Sequence, residues 1–96
     1  MIGSQAHILT ANAEQYLLQL CRYWSQSFAV RQEPGHGRIE FGDGRNCMLW
    51  ARPGHLDVEV RATAEALPRL RDVVAGHINR FARREGELPF DWHPAG

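Results

Sequence analysis

The stretch from Phe28 to Ala62 constrains the fold most, because glycine-bearing breaks cut it into four short runs in which apolar and polar residues alternate. The breaks are Pro34-Gly35-His36-Gly37, Asp43-Gly44 and Pro53-Gly54. Asp43-Gly44 is the strongest hairpin signal, since a type I′ turn needs positive φ at both central residues and this pair adopts it at low cost. An antiparallel meander follows. In its last run Leu56, Val58 and Val60 alternate with His55, Asp57, Glu59 and Arg61, giving one apolar face and one wet, ion-paired face. Such a sheet needs cover on one side only.

Helical stripes before and after the meander supply that cover. Ala13, Tyr16, Leu17, Leu20, Cys21, Trp24 and Phe28 recur at three- and four-residue steps, with Asn12 and Gln15 placed as in a capping box. Leu67, Leu70, Val73, Val74, Ile78 and Phe81 repeat the pattern, with His77 on the same side. Thr63 and Glu65 suit the start of this second helix, although Pro68 moves the first hydrogen-bonded turn toward Leu67. Arg80, Arg83 and Arg84 favour its carbonyl end, and Gly86 suits a left-handed stop, so it is expected to end near Glu85. A brief strand from Ala6 to Leu9 precedes the first helix, and the alternating tail Leu88-Pro89-Phe90-Asp91-Trp92 reads as a closing edge strand. The expected architecture is α+β: two helices packed on one face of an antiparallel sheet, in the order β-α-ββββ-α-β.

At 96 residues the chain is expected to form one domain with one core. Eleven basic residues balance eleven acidic ones, and all the basic ones are arginine. The absence of lysine excludes Schiff-base chemistry, a phosphate-loop lysine and a lysine general base, none of which guanidinium can replace. A neutral chain with no basic run also lacks the counterion-release term of nucleic-acid binding, so no nucleic-acid partner is expected. No stretch approaches the roughly 20 apolar residues of a membrane span, and Met1 to His7 has no basic region followed by an apolar one. No membrane association is expected, and the cytoplasm is the expected location. Cys21 and Cys47 form no CxxC pair and read as reduced thiols, both buried as small apolar groups.

Common catalytic motifs are missing: there is no HExxH, and Ser4, Ser25 and Ser27 lie outside any GxSxG elbow. The triplets Gly35 to Gly37 and Gly42 to Gly44 lead into strands, so they read as hairpin glycines without the helix amides that cradle phosphate. Asp57 and Glu59 lie among Arg52 and Arg61 as an ion-pair ladder. The main chemical constellation joins Cys21 on helix one, Cys47 on a strand and His77 on helix two, each on an inward face. Two thiols and an imidazole suit zinc, copper or haem iron, and cysteine with histidine can also act as nucleophile and base. The alternative is two packed apolar thiols and a His77 bonded to a backbone carbonyl. Met48 and Trp50 point away from the helices if Cys47, Leu49 and Ala51 face them. Cover for this pair comes from a sheet-face homodimer, from a protein partner, or from the arginine stems of Arg38 or Arg61 over Trp50. The closing strand offers a rival dimer edge.

Thr10 to Trp24, the segment Gly37-Arg-Ile39-Glu-Phe41 and Asp72 to Ala82, with the closing aromatic strand, resemble a bacterial family of small uncharacterised proteins known only as a domain of unknown function. The resemblance spans nearly the whole chain. It implies an iron-related setting, since members often lie near genes for siderophore uptake and siderophore-interacting reductases; no activity comes with it. The family pattern has Cys followed two places later by His in helix one, and His-x-x-Arg-Phe in helix two. Cys21, His77, Arg80 and Phe81 match it, whereas Tyr23 stands in place of the first histidine. A family Cys-His metal site would therefore lack one ligand here. The combined expectation is a binding or accessory protein without catalysis of its own, acting in iron or siderophore handling and requiring no cofactor. The alternatives are an interaction module using Met48 and Trp50, or a thiol or metal site at Cys21, Cys47 and His77.

Overall fold

The computed structural model describes residues 1–95. Its elements run β1 (Ile2–Leu9), α1 (Ala13–Trp24), β2 (Ala29–Glu33), β3 (His36–Gly42), β4 (Arg45–Arg52), β5 (His55–Ala62), α2 (Leu67–Phe81) and β6 (His93–Ala95). The six strands form one antiparallel sheet in the order β2-β3-β4-β5-β1-β6. The β-α-ββββ-α-β order and the α+β class are as the sequence predicts. The meander folds in sequence, and β1 then lies beside β5, in register from Ile2↔Ala62 to Leu9↔His55.

Turn chemistry sets the meander. Asp43 and Gly44 both take positive φ, at 56° and 77°, as the β3–β4 turn requires. The helices pack on one side of the sheet, α1 across β2 to β5 and α2 against β5 and β1. Between them lies a continuous core that includes Ile8, Leu17, Leu20, Ile39, Leu49, Leu56, Val58, Val60, Val74 and Ile78. Each of these side chains stabilises the fold by about 1.5–3 kcal/mol of apolar burial.

Several boundaries differ from the sequence expectation. The first strand begins at Ile2 rather than Ala6, because Gly3 and the buried Ser4 lie in the ladder without an apolar signature. Helix one ends at Trp24, and Phe28 lies beyond the turn with its ring edge-on to Phe41 at 4.9 Å. Asn12 makes no side-chain cap; its backbone amide donates to Thr10 Oγ1 and its side-chain amide to Glu85. Helix two starts at Leu67, preceded by Thr63, whose Oγ1 accepts the Ala66 amide. It ends at Phe81, and a separate 3-10 turn, Arg83–Glu85, follows before Gly86 at φ 78°. The tail from Leu88 to Trp92 is not a strand. Asn79 bonds the Leu88 amide and carbonyl from helix two, and that pairing replaces a ladder; the closing strand forms directly after Trp92, as the three residues His93–Ala95 paired with β1.

Candidate functional site

Alternation along β4, β5 and β1 divides the chemistry between two faces. Inward residues meet the helices. The outward residues of the central strands include Trp50 and Met48, then Asp57 and Glu59, then His7 and Gln5, and no helix covers them. Four of the five histidines, His7, His36, His55 and His93, belong to this outward face, and His77 sits on α2.

Asp57 is the hub of the face. His7, its direct cross-strand partner, donates from Nδ1 to Asp57 Oδ1 at 2.8 Å. His55, two residues before Asp57 on the same strand face, brings Nε2 within 3.4 Å of Oδ2. Arg52 Nε donates to Oδ2 at 3.1 Å. The two imidazoles also lie against each other, with ring centroids 4.1 Å apart. Partial burial pushes the Asp57 carboxyl up, but the hydrogen bonds from His7 and Arg52, with the charges of His55 and His7, outweigh it and hold the group below its ordinary value. Among the described residues, His7, His55 and Asp57 are the one set of three His, Cys, Asp or Glu side chains whose ligand atoms all lie within 4.8 Å of one another.

The rest of the face is ordered around this hub. Arg61 Nε donates to Glu59 Oε2 at 2.8 Å, so the anticipated ion-pair ladder exists, with histidines added to it. Register places His36 opposite Trp50, and their rings stack at 5.2 Å. Arg38 falls opposite Met48 and reaches its sulfur. Thus His36, rather than Arg38 or Arg61, lies over Trp50. Met48 and Trp50 remain partly exposed. An open groove of about 440 Å³ runs beside the hub, lined by Gln5, His7, Trp50, Arg52, Glu59 and His93 among others.

Cys21, Cys47 and His77 occupy the helix side. Cys47 is fully buried and Cys21 nearly so, with the Cys21 sulfur packed over Gly37. Burial pushes the Cys21 thiol up, and burial with the neighbouring Cys21 sulfur pushes Cys47 far up, so both thiols stay protonated at neutral pH. His77 donates from Nδ1 to the Val73 carbonyl at 2.8 Å, and its ring lies 5.0 Å from those of both Tyr23 and Trp24. Tyr23 thus touches His77 as an aromatic neighbour. The two cysteines are close to one another, but the three groups do not form a ligand set of the kind found at Asp57.

The model of a family described as uncharacterised proteins conserved in bacteria, DUF2218, matches residues 5–93. The chain belongs to the DUF2218 family. A solved relative of this DUF2218 chain, the NMR structure of PA4090 from Pseudomonas aeruginosa, is 36% identical and superposes with a TM-score of 0.83 over 99% of this chain and 98% of that one. No curated protein matches the sequence. No helix of this DUF2218 protein, among the described residues, is long and apolar enough to cross a membrane.

Proposed function

We propose that this DUF2218 protein is a binding module whose working surface is the uncovered sheet face, and that it serves in the handling of iron or its chelates. One observation carries the reading: the polar and titratable groups beside the groove, His7, Trp50, Arg52, Asp57, Glu59 and His93, stand on the side of the sheet that the helices leave open. A flat aromatic ring beside arginines, histidines and carboxylates suits a planar, polar ligand, which can stack on Trp50 while the charged groups fix its orientation. The iron setting comes from the family resemblance, and the borderline-soft histidine donors of the face accord with it. A thermal-shift series with ferric siderophores and haem tests the reading. Stabilisation by one of them that Trp50→Ala removes supports it, and unchanged melting throughout speaks against it.

A second reading has its own observation. Met48 and Trp50 stand half-buried at the centre of an uncovered face, where interface cores favour Met and aromatic residues. A homodimer closing two such faces together predicts a sedimentation mass that rises with concentration and becomes monomeric in Trp50→Ala.

A further inference from the structure

Strand geometry alone brings three metal-ligating side chains to one spot. Residues i and i+2 of a strand share a face, which pairs His55 with Asp57, and the β1–β5 register then sets His7 directly opposite Asp57. We propose that His7, His55 and Asp57 form a binding site for one divalent transition-metal ion, with the remaining coordination positions open toward the groove. The inference deepens the reading of this face as the working surface and rests on it.

The donor spacing supports an ion at this point. Two ligand atoms each about 2.1 Å from a common ion and subtending about 90–109° stand roughly 3.0–3.4 Å apart. His7 Nδ1 and Asp57 Oδ1 are 2.8 Å apart, His55 Nε2 and Asp57 Oδ2 are 3.4 Å apart, and the ligand atoms of all three residues lie within 4.8 Å of one another, so the imidazoles must turn toward one carboxylate oxygen to share an ion. Two imidazoles with one carboxylate select a transition metal such as zinc, nickel or ferrous iron over calcium or magnesium, which prefer all-oxygen shells. For His7 Nδ1 to ligate the ion, the proton it donates to Asp57 must leave that nitrogen, to Nε2 or to solvent, so that the lone pair faces the metal. Arg52 competes with the ion, because its guanidinium already holds Asp57 Oδ2.

That competition makes the test specific. The protein is titrated calorimetrically with zinc chloride and, separately, nickel chloride, while imidazole resonances are followed by NMR. One ion per chain is expected, with the His7 and His55 rings responding. His7→Ala, His55→Ala and Asp57→Asn each weaken uptake by at least about 10–100-fold. Arg52→Gln tightens it, which mere loss of a surface ion pair would not do. His7 is 56% exposed, so His7→Ala leaves the core untouched and reports on the site even if another variant unfolds. Absence of uptake, uptake unchanged in His7→Ala and His55→Ala, or responses centred on His36, His77 or His93 would overturn the proposal. If the ions fail while a chelate still perturbs Trp50 and Glu59, the metal site falls and the binding face stands; if neither acts there, both fall.

Discussion

Tyr16 in the first turn of α1 donates its phenolic proton to Glu85, the last residue of the turn that follows α2. Thr10 Oγ1 donates to the same carboxylate at 2.7 Å and Asn12 Nδ2 at 3.2 Å. The four residues tie the entry of one helix to the exit of the other. Burial raises the Tyr16 pKa, and its bond to the anionic Glu85 raises it further. The bonds from Tyr16 and Thr10 hold the Glu85 carboxyl below its ordinary 4.5.

Glu85 should therefore contribute acid-sensitive stability. A carboxyl lowered in the folded state adds stability that is present above 4.5, its unfolded value, and is lost as pH falls toward the lower folded one. Glu85→Gln is expected to cost about 1 kcal/mol at neutral pH, allowing for solvent screening of an exposed carboxylate. Urea melts across the acid range should show the gap between wild type and variant closing below pH 4.5. A constant gap would contradict the latch.

Gly37 leaves no room for a side chain. A Cβ there would stand 2.6 Å from Cys21 Sγ and 3.5 Å from a Leu17 methyl. Gly37→Ala is expected to destabilise by about 1–3 kcal/mol through overpacking, and Cys21→Ala in the same chain to recover part of that loss. Strictly additive effects in chemical denaturation would refute this contact.

The thiols should be protected by the fold. Iodoacetamide is expected to label Cys21 and Cys47 of the native protein only at the rate of opening, with Cys47 the slower because it is the more deeply buried. Mass spectrometry of timed samples checks this. Rapid labelling of either one under native conditions would instead favour a working thiol.

Leu49 and Trp50, adjacent on β4, face opposite sides of the sheet. Leu49→Ala removes a fully buried side chain and is expected to cost about 2–5 kcal/mol. Trp50→Ala loses chiefly its stacking with His36, about 0.5–1.5 kcal/mol. Denaturant midpoints that reversed the order would mean that the face assignment is wrong.

Local signals made most of the fold legible. Asp43-Gly44 and the two prolyl-glycyl turns fixed the meander, and Leu56-x-Val58-x-Val60 fixed which side of it is dry. Where those signals fade, the boundaries shift: Gly3 and Ser4 carry no apolar alternation, and the alternation from Leu88 to Trp92 comes from packing against Asn79 and the core rather than from a ladder. The pair at Met48 and Trp50 was readable for the same reason as the meander. The histidine cluster was not: the His55-x-Asp57 spacing was visible as outward positions, but His7 lay in a brief first strand to which no face was assigned. Their meeting depends on β1 returning to the far side of β5, a long-range pairing that neither strand encodes alone.

If the uncovered face is the working surface, a ligand meets the outward side of the sheet and not the helix side. The most direct measurement is a chemical-shift map of the labelled protein titrated with zinc and with a ferric chelate. Shifts centred on His7, Trp50, Asp57 and Glu59 are the expected result. Shifts centred on Cys21, Cys47 and His77, with the outward residues silent, would contradict it.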